Sequence, residues 1–189
     1  MRLAVPALLA LTLTLAACGG DTGGRVIETP AIPDGIAFEI LDTAYAEAPP
    51  AMAALDAAFE TAARENKRVL AIFGGDWCPD CRIFGGMLTI PAMAEFVDAH
   101  FVVVKIDAER TGELNADAIA RFGYEDGLTG YPTVVVVTAD GEVVNRADAA
   151  QWRTARERRP QEVADWLTAL VTAPVPADAG RVDTGAGGA

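Results

Sequence analysis

The stretch FGGDWCPDC, residues 73–81, places Cys78 and Cys81 three positions apart, directly after the apolar run VLAIF, residues 69–73. A continuous apolar run of this length predicts a strand that is covered on both faces. Pro79 suits the first turn of a helix, because the N–H that proline lacks is not needed there. The two thiols are therefore expected at a strand-to-helix junction, where a redox pair, a static disulfide and half of a metal site are all open interpretations.

The third cysteine, Cys18, closes an apolar N-terminal segment. This segment, MRLAVPALLALTLTLAAC, carries one positive charge, at Arg2, and its apolar core is shorter than a helix needs to span a bilayer. Its last four residues, LAAC, resemble the lipobox of bacterial lipoproteins, in which the cysteine is lipidated and becomes the mature N-terminus after cleavage. The sequence thus predicts a signal peptide over residues 1–17 and lipidation of Cys18. With Cys18 so assigned, no second pair of thiols is left to complete a four-sulfur zinc site, and no metal is expected.

Charge and composition divide the remaining chain. The 189 residues carry a formal charge of −12, which argues against nucleic acid as a partner and against adhesion to anionic lipid headgroups. Residues 18–49 are predicted to be the lipidated cysteine followed by a flexible tether, because Gly, Thr and Pro are frequent there. Residues 50–172 have the length and periodicity of one folded domain, and the low-complexity residues 173–189 are predicted to be a disordered tail.

Hydrophobic periodicity in residues 50–172 alternates between helices and strands. Apolar residues recur at helical spacing from Ala51 to Asn66, and FVVVKID, residues 101–107, predicts a second buried strand. A hairpin is expected from PTVVVV, residues 132–137, the turn ADG, residues 139–141, and a second strand EVV, residues 142–144. A final helix is expected to start near Pro160. A weak strand pattern occupies IAFEIL, residues 36–41. The residues expected to face inward in the later helices are Met93, Phe96, Val97, Leu114, Ala118, Ile119, Phe122, Val163, Trp166, Leu167, Leu170 and Val171.

Three motifs together resemble the thioredoxin superfamily over residues 50–172. They are WCPDC, residues 77–81, after a buried strand, a second strand that ends in KID, and GYPT at the start of the hairpin. The resemblance implies an α/β, three-layer thioredoxin-like fold in which a central mixed β-sheet is flanked by helices. It also implies that Pro132 is a cis-proline facing the two sulfurs, that the backbone of Tyr131 binds an extended substrate peptide, and that no cofactor is needed.

The residues of the WCPDC motif suggest a division of roles. Cys78, at the helix N-terminus, would lie near unpaired backbone N–H groups and the positive end of the helix dipole, so it is predicted to be the exposed, attacking nucleophile. Cys81, one turn deeper, is predicted to resolve the mixed disulfide. Asp76 and Asp80 place negative charge nearby and oppose ionisation of the thiol, which favours a reducing or exchange-type centre. Trp77 is expected to pack against the motif and shield it.

The chain departs from the family pattern at two points. Thioredoxins usually carry a buried acid six positions before the first cysteine, where this chain has Ile72. The proton of the resolving thiol must then pass to water, to Asp76 or Asp80, or to the substrate. Thioredoxins also usually have a proline after the second cysteine, in the region that Gly85 and Gly86 occupy here, so a bend or break of the helix is expected. Elsewhere, the basic run RTARERR, residues 153–159, is interpreted as a solvated face.

These observations predict a lipid-anchored thiol–disulfide oxidoreductase, of reductase or exchange type, on the periplasmic side of a bacterial membrane. Its partners would be protein thiols and disulfides, and a membrane electron-transfer protein would supply electrons, because that compartment is oxidising. Two alternatives remain open from the sequence. In one, Cys78 and Cys81 form a static disulfide in a binding or scaffold domain. In the other, their two thiolates bind Cu(I).

Overall fold

The computed structural model describes residues 27–45, 50–111 and 113–185. Within these ranges, three strands form one mixed sheet in the order β2-β1-β3. The central strand β1 (Arg68–Gly74) is parallel to β2 (Phe101–Asp107) and antiparallel to β3 (Thr133–Val137). Every residue of β1 after Arg68 is buried, as expected for a strand that is covered on both faces. The two strands predicted on either side of the cysteine motif are therefore confirmed.

Helices cover both faces of this sheet. Because successive strand residues point to opposite faces, β1 divides the core in two. Val69, Ala71 and Phe73 share one cluster with residues of α1 and α4, whereas Leu70 and Ile72 share the other with residues of α2, α3 and α5. The predicted α/β architecture of three layers is confirmed. The helices are α1 (Ala51–Glu65), α2 (Pro79–Met87), α3 (Pro91–His100), α4 (Ala116–Arg121) and α5 (Pro160–Thr172).

The predicted hairpin after β3 is only partly formed. Val137 and Val143 make a single β-bridge. Further along, the buried side chain of Asn145 takes the place of a partner strand: its Oδ1 accepts from Val136 N at 2.7 Å, and its Nδ2 donates to Val134 O at 2.9 Å. The expected second strand at residues 142–144 is therefore not formed in full. Val144 N donates to Val136 O at 2.8 Å, but from Asn145 onward a side chain satisfies backbone groups of β3 that a strand would have paired.

Two smaller expectations are also wrong. Residues 36–41 follow an irregular path and do not form a strand. α4 begins only at Ala116, so Leu114 precedes the helix and is 46% exposed. In both places a short apolar pattern was compatible with regular structure but did not determine it. Ile36 and Phe38 pack against the core without pairing with a strand.

The segment before α1 packs on the domain instead of forming a free tether. Ile32 and Tyr45 are 6% and 3% exposed. Arg82 of α2 donates from Nε to Leu41 O at 3.0 Å, which fastens the segment to the helix of the cysteine motif. The prediction of a flexible tether is wrong for residues 27–45, because scattered apolar side chains can join a core that the rest of the domain has already formed.

The helix of the cysteine motif explains how this segment can approach so closely. α2 continues through Gly85 and Gly86 but ends at Met87, and α3 begins at Pro91, so the helix breaks directly after the two glycines and not at them. A methyl group on Gly86 would collide with the backbone oxygen of Glu39. The glycines thus leave room for the chain of the preceding segment along α2.

The predicted disordered tail is also ordered as far as Gly185. Ala179 and Val182 are 4% and 1% exposed. Val182 N donates to Gly141 O at 2.7 Å, and Gly141 itself has a φ of 95°, a conformation that favours glycine. The tail packs because its few apolar residues fill a position at the edge of the core beside the turn that follows β3.

The predicted signal peptide, residues 1–17, and the predicted lipidation site, Cys18, lie outside the described residues. Residues 19–26 and 46–49 of the predicted tether lie outside them as well. In the part of the chain that the structure describes, no helix has the length and apolar character needed to cross a membrane.

Candidate functional site

Cys78 and Cys81 are joined by a disulfide at the junction of β1 and α2, with their Cα atoms 5.2 Å apart. After β1 ends at Gly74, a hydrogen bond from Cys78 N to Gly75 O, 3.0 Å long, closes the turn into the helix, which starts at Pro79. Cys78 is the N-cap residue, and its Sγ accepts a hydrogen bond from Cys81 N at 3.2 Å. The sulfur of Cys78 therefore already faces a backbone donor at the helix N-terminus, an environment that favours a thiolate.

Both cysteines are more enclosed than the sequence indicated. Cys78 is 4% exposed and Cys81 is 1% exposed. Their order agrees with an outer and an inner thiol, but the expectation of an openly exposed Cys78 is wrong for this disulfide form. Trp77 and Tyr131 pack against the buried cluster that contains both cysteines, so their rings contribute to the enclosure.

Asp80, between the two cysteines, is buried in an ion pair. It is 3% exposed, and Arg156 Nε lies 3.1 Å from each of its carboxylate oxygens. Arg156 also contacts Oδ2 through Nη2, and its backbone N donates to Oδ1 at 2.9 Å. Burial acts to raise the pKa of Asp80, but the hydrogen bonds and the charge of Arg156 outweigh burial and hold that pKa below its usual value.

This ion pair corrects two expectations. The negative charge of Asp80 is compensated by a cation, so it opposes ionisation of Cys78 less than the sequence suggested. The basic run at residues 153–159 is not simply a solvated face, because Arg156 contacts the cysteine motif. Arg156 lies in the segment Gln151–Glu157, two 3-10 turns that meet at a kink at Thr154, and this segment packs against α2.

An aromatic pair lies on the partly exposed side of the site. The rings of Trp77 and Tyr131 meet edge to face with their centroids 5.0 Å apart. The guanidinium carbon of Arg110 lies 4.9 Å from the centroid of the Trp77 ring, within the range of a cation–π contact. The peptide bond between Tyr131 and Pro132 is cis, as the resemblance implied. The structure thus brings Trp77 beside Tyr131, the residue expected to bind substrate.

Comparison with known proteins gives the family. The family described as thioredoxin-like matches residues 50–139, which include both cysteines of the motif and Pro132. The crystal structure of a disulphide isomerase from Xylella fastidiosa Temecula1 is 30% identical, with a TM-score of 0.60, over 70% of this chain and 98% of that one. The chain belongs to the thioredoxin superfamily. Among curated protein sequences, none matches it significantly. The thioredoxin-like fold, this relative and the close cysteine pair together support a thiol–disulfide oxidoreductase.

Sequence reasoning missed two residues of this thioredoxin-like site, Tyr45 and Arg156. Tyr45 reaches the site through Asp76, whose Oδ1 accepts a hydrogen bond from Tyr45 N at 3.0 Å. Arg156 had one signal in the sequence, since it belongs to a basic run in an acidic chain that contains a carboxylate between its two cysteines. Tyr45 had none, because the segment around it shows no periodicity that would place it in a fold.

The structure gives no support for a metal centre within residues 27–45, 50–111 and 113–185. There, no group of three or more His, Cys, Asp or Glu side chains is arranged to hold a metal ion. The two sulfurs that Cu(I) would require are joined to each other in the disulfide.

Proposed function

We propose that this thioredoxin-like protein is a lipid-anchored thiol–disulfide oxidoreductase of reductase or exchange type that acts on protein disulfides. Lipid on Cys18 would hold it at the periplasmic side of a bacterial membrane. The observation that carries the proposal is the Cys78–Cys81 disulfide at the N-terminus of α2, beside the Trp77–Tyr131 pair. A disulfide at a helix N-terminus can be opened and re-formed by exchange, because the helix stabilises the outer sulfur as a thiolate.

In the reducing direction, the thiolate of Cys78 attacks one sulfur of the substrate disulfide. A bond forms between that sulfur and Cys78 Sγ, and the second substrate sulfur leaves with the electron pair and takes up a proton. Cys81, as a thiolate, then attacks Cys78 Sγ, which closes the protein disulfide and releases the first substrate sulfur as a thiolate that is protonated in turn. The substrate gains two electrons and two protons, and the protein dithiol loses them.

Several features of the site support the individual steps. The N–H of Cys81, which contacts Cys78 Sγ in the disulfide, would stabilise the Cys78 thiolate between cycles. Arg156 offsets the charge of Asp80. The partly exposed rings of Trp77 and Tyr131 offer an apolar surface to a peptide next to the attacked disulfide. Because the expected compartment is oxidising, a membrane electron-transfer protein of thiol–disulfide type would return the protein to its dithiol form.

Trapping of substrates tests this proposal. In the Cys81→Ser variant the mixed disulfide on Cys78 cannot be resolved, so partner proteins should stay covalently attached and be released by dithiothreitol. The double variant Cys78→Ser, Cys81→Ser is the matched control and should trap nothing. Equal recovery from both variants, or no partner from either, would contradict the proposal.

The burial of both cysteines favours one other candidate, a binding domain with a static disulfide. The two functions differ in the reduction potential of the Cys78–Cys81 couple, measured on the soluble domain in glutathione and dithiothreitol buffers. A potential of about −270 mV would support a reductase, whereas a potential of about −120 mV would indicate an oxidant. A disulfide that none of these buffers reduces would identify a static disulfide and exclude the oxidoreductase.

The lipid anchor is tested separately. Metabolic labelling with a fatty acid should mark the wild-type chain at Cys18, and the Cys18→Ala variant should lose both the label and membrane fractionation. A wild-type chain without label would remove the anchor from the proposal and leave the chemistry of Cys78 and Cys81 unaffected.

A further inference from the structure

We propose that Tyr45 is the hydrogen-bond donor that stabilises the thiolate of Cys81 during resolution of the mixed disulfide. The inference rests on the proposed function, because it concerns the second step of that exchange. It assigns a role at the redox centre to the segment that precedes α1. Thioredoxins usually have a buried acid six positions before the first cysteine. In this chain that residue is Ile72, which is 1% exposed and cannot exchange a proton.

The hydroxyl of Tyr45 and the sulfur of Cys81 both lie beside Gly74. A methyl group built on Gly74 would lie 2.6 Å from Cys81 Sγ and 2.8 Å from Tyr45 Oη. The two atoms therefore flank the same point and are no farther apart than the sum of those distances. Since Gly74 has no side chain, nothing on this residue separates the hydroxyl from the sulfur.

Hydrogen bonds fix the backbone of Tyr45 and of the residues before it. It is 3% exposed, and its N donates to Asp76 Oδ1 at 3.0 Å. Four residues earlier, Leu41 exchanges hydrogen bonds with Arg82 of α2, with Leu41 O accepting from Nε at 3.0 Å and Leu41 N donating to the Arg82 carbonyl at 3.4 Å. The backbone that carries this side chain is thus anchored to α2 and to the turn that leads into it.

The charged groups around Tyr45 keep its hydroxyl in the donor form. Burial raises the pKa of Tyr45 well above its usual value, and the negative charges of Asp76 and Asp107 act in the same direction. Asp76 also interacts with Lys105, whose pKa is lowered by burial while the charge of Asp76 opposes that change. A neutral phenol can donate to a thiolate but cannot accept a proton, so Tyr45 stabilises the product of ionisation and is not the base.

The exchange step then balances as follows. The proton of Cys81 passes to water, and the thiolate that remains accepts a hydrogen bond from Tyr45 Oη. Cys81 Sγ attacks Cys78 Sγ, the protein disulfide forms, and the bond between Cys78 and the substrate sulfur breaks. That sulfur leaves with the electron pair and takes a proton from water, so no further oxidant, reductant or base is required.

The test is the reaction of the reduced protein with 5,5′-dithiobis(2-nitrobenzoic acid) in a stopped-flow instrument. Attack by Cys78 releases one coloured thiolate, and resolution by Cys81 releases a second. In the Tyr45→Phe variant at pH 7 we expect the second phase to slow by about tenfold, since a hydrogen bond to a charged group is lost, and the first phase to be unchanged. The difference in second-phase rate between wild type and Tyr45→Phe should shrink as the pH rises, because Cys81 then ionises without the hydrogen bond from Tyr45.

The matched control is Tyr124→Phe, which removes the same atom from a hydroxyl that is buried and has no hydrogen-bond partner among the described residues. Both phases of this variant should match those of the wild type. Replacement of Tyr45 by 3-fluorotyrosine keeps the ring in place, makes the hydroxyl a stronger donor and should move the pH profile of the second phase to lower pH. This second measurement decides the question if the phenylalanine variant does not fold.

Two failures can be distinguished. A second phase with the same rate and pH profile in wild type and in both Tyr45 variants would overturn the role of Tyr45 and leave the oxidoreductase intact. A wild-type protein that shows no second phase would instead contradict the proposed function, and with it this inference.

Discussion

The guanidinium group of Arg156 covers the carboxylate of Asp80, with Nε 3.1 Å from each oxygen, directly behind the cysteine motif. Asp80 is 3% exposed, whereas the side chain of Arg156 is 57% exposed, so a surface cation neutralises a buried anion. An unpaired carboxylate in this position would be costly to bury and would oppose a thiolate on Cys78. The pair therefore links the stability of α2 to the reactivity of the thiol.

Removal of the cation should slow the outer thiol. In the Arg156→Gln variant, Asp80 keeps its charge but loses its partner, so the rate at which iodoacetamide alkylates reduced Cys78 at pH 7 should fall severalfold. Arg153→Gln is the matched control, because Arg153 lies in the same segment, just before the kink at Thr154, and makes no ion pair with any described residue. Equal alkylation rates in the two variants would show that Asp80 does not act on Cys78.

The ion pair of Asp80 and Arg156 should make the free energy of unfolding depend on pH under acidic conditions. A carboxyl group with a lowered pKa in the folded state contributes stability above its unfolded pKa, about 3.9 for Asp. That contribution is lost as the pH falls through the lower, folded pKa of Asp80. Asp80→Asn should cost about 1–2 kcal/mol in the free energy of unfolding at pH 7, a value reduced for the exposure of Arg156.

Denaturant unfolding of the oxidised proteins measures this effect at each pH. The gap between wild type and Asp80→Asn should be constant from pH 7 to about pH 5 and should narrow below about pH 4. Other carboxylates titrate equally in both proteins and cancel in the difference. A gap that stays constant down to pH 2 would mean that Asp80 does not have the lowered pKa.

The C-terminal segment should contribute measurably to stability. Val182 is 1% exposed, so Val182→Ala should lower the free energy of unfolding by about 1–2 kcal/mol through lost burial and a small cavity. Val175→Ala makes the same chemical change at a residue that is 37% exposed and should have little effect. Equal midpoints of urea unfolding for the two variants would mean that this segment is disordered in solution, as its composition suggests.

Sequence reasoning succeeded where the signal was local. The apolar run before Cys78, the proline after it and the spacing to Cys81 placed the motif at a strand-to-helix junction, because each of those effects acts within a few residues. Tyr45 and Arg156 were missed because their contacts with Asp76 and Asp80 join residues 31 and 76 positions apart. No pattern within one segment reports such a pairing.

The flanking segments were misjudged for a related reason. Low-complexity composition indicates that a segment cannot form a core of its own. It does not show whether the few apolar residues it carries, such as Ile32 and Val182, can bind to a core formed by the rest of the chain. Whether such a segment packs depends on whether the folded domain leaves space for its backbone. On α2 this space exists because Gly86 has no side chain.

Substitution of the two glycines of α2 should separate helix propensity from this packing. Alanine stabilises a helix interior by about 0.5–1 kcal/mol relative to glycine. At Gly85 the new methyl group would meet the flexible end of Leu41 at 3.3 Å, so Gly85→Ala should be neutral or slightly stabilising. At Gly86 it would meet the backbone oxygen of Glu39, which cannot move without displacing the segment that carries Tyr45.

Gly86→Ala should therefore lower the free energy of unfolding by about 1–3 kcal/mol despite its better helix propensity. It should also expose the segment before α1 to proteases under native conditions, with cleavage between residues 27 and 45 that Gly85→Ala does not show. The second phase of the thiol reaction described above should slow as well, since Tyr45 would move with its segment. Equal stability and equal protease resistance of the two variants would mean that this segment does not rest on α2 in solution.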